Sequence, residues 1–202
     1  MTMHDLTVAE LLTALGDKTP TPGGGAVAPL VAGLATALGR MVLAYSVDKP
    51  SLDAHRADNE QAIERLQDLQ QQAMQCAQDD ADAYGTLNAL MKLPKDDPHR
   101  AAEWTAAVDG AMEPPQRTLA LCGTLIDTID ELTGTTNPWL ASDLAVAAVL
   151  IAAAARAAAW NVRANLSQLD DPARVAELQS KIDAQINAVQ ARVDDLEGRL
   201  AS

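Results

Sequence analysis

The chain has 202 residues, a formal net charge of -13 at pH 7 and a pI near 4.4, so its surface repels nucleic-acid phosphates and anionic membranes, and neither is an expected partner. Hydrophobic residues make up 48% of it and aromatics only 2%, with no Phe, which excludes disorder and leaves the core to Ala, Leu, Val, Ile and Met. Ala and Leu favour helices and aromatics favour sheets, while this length suits one core better than two; the expectation is a single all-α domain spanning 1–202.

Thr7-Val8-Ala9-Glu10 reads as a capping box that opens a short helix ending near Gly16. The DKTPTPGGG stretch at 17–25 is punctuation that no helix crosses. An Ala- and Gly-rich helix is expected over 26–47, with Pro29 tolerated in its first turn and Gly33 and Gly39 leaving room for another backbone. The stretch 52–91 predicts a long helix with Ile63, Leu66, Ala73, Ala77, Tyr84, Leu87 and Met91 on one stripe. LPKDDP at 93–98 ends it. The next helix, over 98–132, is expected to bend or break at Pro114-Pro115. The TGTTNPWLA loop then leads into the most apolar helix, over 142–166. After Asp170-Asp171-Pro172 a last helix reaches Leu200, its Val175, Leu178, Ile182, Ile186, Val189, Val193 and Leu196 repeating close to a heptad. The two longest helices, if straight, each exceed about 40 Å at the α-helical rise. An elongated multi-helix bundle follows, with a second copy of the chain expected to cover the long stripes in a homodimer.

Cys76 and Cys122 stand alone and form no CxxC pair, which suits a reducing compartment. The opening MTMHDLTVAELLTALG carries acids and no long apolar run, so no leader is expected. The apolar run at 144–155 ends at Arg156 and is shorter than the roughly 20 residues a span requires. The expected location is cytoplasmic. His4, His55 and His99 are scattered, so no metal is expected.

Five groups of residues stand out. Gly23-Gly24-Gly25-Ala26-Val27-Ala28 matches the letters of a dinucleotide fingerprint, but a helix and two prolines precede it where a strand is required. What remains is a glycine run at a helix N-terminus, either a main-chain shelf for an anion or polar ring or a sharp turn for tight packing. Asp80 lies on an apolar stripe between Ala77 and Tyr84, so it is either ion-paired or faces a polar site; Asp79 and Asp82 point elsewhere and read as solvated. Asp143 opens the most apolar helix, where Ser142 and Asp143 are both capping residues and the charged carboxylate is favoured. Asn161 and Asn165 share one face of that helix, about 27 Å along the axis from Asp143, a gap that two symmetry-related helices of a dimer could close. Lys49, Lys92 and Lys95 are scarce positive charges near helix ends, and each alone reads as a surface lysine.

Taken together, PTPGGGAVAPLVAGLATALGRMV, DADAY, LPK, NPWLASDLAVAA and NVRANL, in this order from Pro20 to Leu166, resemble the cyclodeaminase/cyclohydrolase family. That family includes the C-terminal domain of formiminotransferase-cyclodeaminase and free-standing methenyltetrahydrofolate cyclohydrolases. Where the family commonly has Gly-Lys after the glycine-led helix, this chain has Val47-Asp48-Lys49. The resemblance implies a helical homodimer acting on a tetrahydrofolate that carries a one-carbon unit. Pro22, Gly23, Gly24, Gly25 and Asn161 are the implied pterin contacts, and Lys49 or Lys95 would meet the glutamate carboxylates. Both possible reactions, ring opening by water and ring closure with loss of ammonia, pass through a tetrahedral carbon and need an acid–base group. Asp143 is the first candidate and Asp80 the second. No transferase domain is present in this stretch, which favours the cyclohydrolase, with the cyclodeaminase or a folate-binding dimerisation module as alternatives.

Overall fold

The computed structural model describes residues 3–200, apart from the side chain of His4. Met1 and Thr2, part of the stretch read as lacking a leader, lie outside the described residues. Six α-helices carry the fold: α1 (Val8–Gly16), α2 (Gly24–Ala44), α3 (Arg56–Met91), α4 (Pro98–Glu131), α5 (Ala141–Leu166) and α6 (Pro172–Leu200), with short 3₁₀ turns at Met3–Asp5, Pro50–His55 and Pro138–Leu140. No strand occurs among the described residues.

Local sequence sets the helix ends. The amide of Glu10 donates to the Thr7 hydroxyl at 3.3 Å while the Thr7 amide donates to the Glu10 carboxylate at 2.8 Å, the expected capping box. Asp97 accepts from the amides of His99 and Arg100 and starts α4. The long helix read as beginning at 52 instead begins at Arg56, because a 3₁₀ turn opened by Pro50 over Pro50–His55 takes up its first four residues.

The core is a layer of small side chains. α2 packs on α3 and α5, and α4 packs on α3 and α5 from the other side. Ala28, Ala32 and Ala35 of α2 and Ala147, Ala154 and Ala158 of α5 are wholly buried, so these helices approach closely. Gly39 is tighter still: a methyl there would lie 2.7 Å from Ile129 Cδ1 and 2.9 Å from Leu66 Cδ1. At Gly33 the neighbour is only Ala73 Cβ at 3.9 Å, an ordinary contact, so the close approach is made by side chains at Gly39 and not by backbone at both glycines.

Of the bend or break expected at Pro114-Pro115, the break does not occur, since α4 runs through both prolines. Each proline lacks an amide and so releases the carbonyl four residues earlier. The Ala111 carbonyl, released by Pro115, accepts instead from Asn165 Nδ2 of α5 at 3.3 Å. The stripes assigned to a dimer interface are corrected here. Ile182, Val189, Val193 and Leu196 of α6 and Leu66, Ala73, Ala77 and Leu87 of α3 are buried within the chain itself. Exposed apolar side chains occur elsewhere, on the outer side of α2 (Leu34) and at its C-cap (Tyr45), and on the outer side of α5 (Val146, Val149, Trp160). These same two helices are long and apolar enough, by length and composition, to cross a membrane.

Candidate functional site

The antiparallel run of α2 against α5 brings the start of α2, the end of α5, the middle of α3 and the first half of α4 to one level of the bundle, around a cavity of about 240 Å³. Its floor is the glycine run. Gly23 is the N-cap of α2 in an extended conformation, and the amides of Gly24 and Gly25 fall in the first turn, where no intrahelical acceptor exists. They therefore present two donors and the positive end of a helix to the cavity. No left-handed backbone is involved: among the described glycines only Gly134 has positive φ. The glycines supply space. A Cβ on Gly25 would fall inside the Asp80 carboxylate, and one on Gly24 would lie 3.4 Å from Asn161 Oδ1.

Asp80 comes from α3 and has neither an ion-pair partner nor a hydrogen-bond partner among the described residues. Burial with no such compensation pushes its carboxyl up to about 6 from 3.8. Of the two readings open for it, the ion pair is absent among the described residues, and Asp80 lines the cavity. Its neighbour Asp79 is not simply solvated as expected, since Arg117 of α4 donates to it at 2.7 Å; Asp82 accepts from Gln78 on its own helix. Asn161 Nδ2 donates back to the Ala157 carbonyl at 3.0 Å, which fixes the amide and leaves Oδ1 as an acceptor beside Gly24. Tyr84, one turn after Asp80, also lines the cavity. The arrangement offers donors on one wall, an acceptor on another and a carboxyl pushed up to about 6 between them.

The remaining sequence candidates lie elsewhere. Asp143 sits in the first turn of α5, at the opposite end of that helix from Asn161, and is not its cap: the N-cap position falls on Leu140, with no side-chain bond. Lys49 is at that far end too, donating to Asn137 Oδ1 at 2.8 Å, while the Asn137 amide donates to Ser46. Pro22 lies just beyond the lining, after a cis peptide bond from Thr21. Lys95 borders a second cavity near the start of α4. Lys92, at the end of α3, is exposed and lines neither cavity. Two contributors were not read from sequence, Ala111 with its freed carbonyl and Asn165 as the residue that takes it. Their signal was present in the paired prolines and the four-residue spacing of the asparagines. No cluster of potential metal ligands occurs among the described residues.

A helical bundle with a titrating carboxylate over a glycine-rich helix start defines a class of small-molecule site. By its match over residues 7–184, this chain belongs to the formiminotransferase-cyclodeaminase family. It is 29% identical to the methenyltetrahydrofolate cyclohydrolase of Methylorubrum extorquens over 93% of both chains. It is likewise 29% identical to the formimidoyltransferase-cyclodeaminase of Gallus gallus, but spans only 30% of that protein's length. Among solved structures it resembles the formiminotetrahydrofolate cyclodeaminase of Thermotoga maritima, with a TM-score of 0.83, 26% identity and 98% of both chains covered.

Proposed function

We propose that this chain hydrolyses 5,10-methenyltetrahydrofolate to 10-formyltetrahydrofolate. The observation that carries the reading is Asp80, an uncompensated carboxylate facing the glycine floor with its carboxyl near 6. Support also comes from the similarity to the cyclohydrolase over nearly the full length of both chains. A cavity of about 240 Å³ is smaller than the roughly 300–1,000 Å³ that drug-sized ligands occupy, so it suits a bicyclic pterin head with the rest of the folate outside.

In this reaction ionised Asp80 takes a proton from water as the oxygen adds to the cationic methenyl carbon. The neutral tetrahedral adduct then collapses: the C–N5 bond breaks, N5 receives the proton held by Asp80, and the hydroxyl proton leaves to solvent as the formyl group forms. One water is consumed and one proton released. Asn161 Oδ1 accepts from a pterin N–H, the Gly24 and Gly25 amides donate to ring acceptors, and the ionised carboxylate stabilises the substrate cation. The Thermotoga maritima neighbour supports the second reading, in which N10 closes on a formimino carbon and ammonia leaves, with the same carboxylate moving the protons.

The homodimer belongs to this proposal with a revised interface. The exposed side of α5 runs Ser142, Val146, Val149, Ala153, Arg156 and Trp160, alternating steps of four and three that are symmetric about Ile151. A two-fold axis at that point would pair the stripe with itself and bring Asp143 of the partner subunit level with Asn161, giving Asp143 a route to the site that it lacks within one chain. The test of function is the near-ultraviolet absorbance of methenyltetrahydrofolate mixed with the protein. Decay well above the spontaneous rate supports the hydrolase; no acceleration, with ammonia released from formiminotetrahydrofolate, supports the alternative; neither one removes both.

A further inference from the structure

Trp139 is 86% exposed, more than any other large apolar side chain described, yet its backbone is tied down. Its amide donates to Asn137 Oδ1 at 3.3 Å, and Lys49 Nζ donates to the same oxygen at 2.8 Å. The Asn137 amide donates to the Ser46 hydroxyl at 2.9 Å, and the Leu140 amide donates to the Asn137 carbonyl at 2.9 Å. Asn137 and Ser46 are themselves buried, so the turn is anchored just beyond the end of α2. The chain thus holds an indole in water at a fixed place, with the cost of ordering it already met by the fold. Trp104 and Trp160 stack with Arg100 and Arg163, whereas no arginine or lysine stacks on Trp139 among the described residues. A large amphipathic ring presented in this way is the kind that anchors contacts between molecules.

Its position gives the ring a destination. Trp139 precedes Ser142 by three residues and Arg163 follows Trp160 by three, so both extend the outer stripe of α5 and the stripe stays symmetric about Ile151. A two-fold axis there sets the partner subunit's Trp139 level with Arg163 and Ala164, about 18 Å along the helix from the axis. Ala164 is where the outer side of α5 meets the candidate cavity: it is exposed and it lines that cavity. A methyl is all that α5 offers at this edge, so the wall is low within one chain. The pairing is also complementary in charge, since Arg156, without a carboxylate partner among the described residues, falls within one turn of Asp143 of the partner subunit. We infer that Trp139 of the partner subunit completes the outer wall of the candidate site, its indole stacking on the conjugated rings of the bound folate. The inference rests on the folate reading and on the dimer proposed with it. The methenyl form adds a delocalised positive charge, which an indole face attracts.

The test is equilibrium binding of a stable reduced folate, 5-formyltetrahydrofolate, to the wild type, Trp139→Ala and Trp139→Phe, with sedimentation of each. The ring is exposed, so neither substitution puts folding at stake. Trp139→Ala should bind about tenfold more weakly as an intact dimer, the effect of one lost aromatic stack, and Trp139→Phe, which keeps a ring, should bind nearly as the wild type does. A heterodimer of Trp139→Ala and Asp80→Asn subunits, coexpressed and isolated through two different tags, then locates the ring. If Trp139 serves the other subunit, one of its two sites is wild type, and methenyltetrahydrofolate hydrolysis below KM should reach about half the wild-type rate. A rate about tenfold lower means that the ring serves its own subunit, and overturns the inference. Wild-type affinity in Trp139→Ala overturns it too, leaving the folate reading intact. Weakening that accompanies loss of the dimer makes the ring an interface contact and not a wall of the site, which also overturns it. A wild type that binds no folate removes the main-site reading, and the wall with it.

Discussion

No side chain can be added to Gly25 without entering the carboxylate of Asp80. The two residues are fifty-five positions apart, yet the empty side of one is the volume occupied by the other. Gly25→Ala therefore forces Asp80 to rotate away or α2 to shift. Because Gly25 lies in the first turn of α2 with ordinary helical geometry, Ala itself suits the backbone. The expected outcome is a loss of at least about tenfold in kcat/KM, the low end for a disturbed acid–base group, with near-native helicity. Circular dichroism and the absorbance assay on one preparation check it.

Asp80→Asn should lower kcat by roughly 10²- to 10⁴-fold, the range for a lost general base. The same change should raise stability. The folded carboxyl lies near 6 and the unfolded one near 3.8, so the folded chain holds its proton to higher pH and Asp80 removes stability as pH rises from 3.8 to 6. Asn is spared that cost, on the order of 1 kcal/mol at pH 7 once partial solvent screening is allowed for. Urea unfolding at pH 4 and pH 7 should show the variant's advantage only at the higher pH. The wild-type rate, corrected for the spontaneous reaction, should rise through about pH 6 and that limb should be missing in the variant.

The α2–α5 face gives a prediction about assembly. Val149 is about half exposed, so Val149→Arg should leave the subunit folded and shift sedimentation from dimer to monomer. If Asp143 serves the site of the other subunit, Asp80→Asn and Asp143→Asn preparations, each inactive, should regain activity when mixed and allowed to exchange. Independent subunits would give no recovery.

Asn165→Ala leaves the Ala111 carbonyl without its donor and should cost about 1–3 kcal/mol, the usual penalty for an unpaired buried group. Pro115→Ala supplies an amide to that carbonyl through the helix. In the Pro115→Ala background, Asn165→Ala should then cost markedly less. A double-mutant cycle read by thermal unfolding measures the coupling.

The helices themselves were legible in the sequence, because capping at Thr7, the glycine–proline break at 17–25 and the turn at 93–98 are local events. Asp80 was legible too, since a carboxylate on an apolar stripe leaves only two options. What the sequence could not show was which stripe stays unpaired. The α6 heptad looks like a seam between subunits until α4 and α5 are seen to cover it. Asp143 drew attention by its setting at a helix start, but a linear pattern does not reveal that Asp80 and Asp143 lie at opposite ends of the bundle. The absence of a break at Pro114 and Pro115 was illegible for a related reason: the compensating amide sits fifty residues downstream, beyond any local window.

That compensation also constrains the order in which the chain can have acquired its residues. A proline arriving at 115 while residue 165 still lacks an amide strands a carbonyl beside the cavity, a defect that selection would meet at once. An asparagine arriving first at 165 is nearly free, because its side chain can rest on the Asn161 carbonyl, which it still reaches at 3.3 Å. The permissive step is therefore the asparagine and the restrictive one the proline. Once both are present only the proline reverts easily alone, because it restores the helical amide, whereas losing the asparagine strands the Ala111 carbonyl.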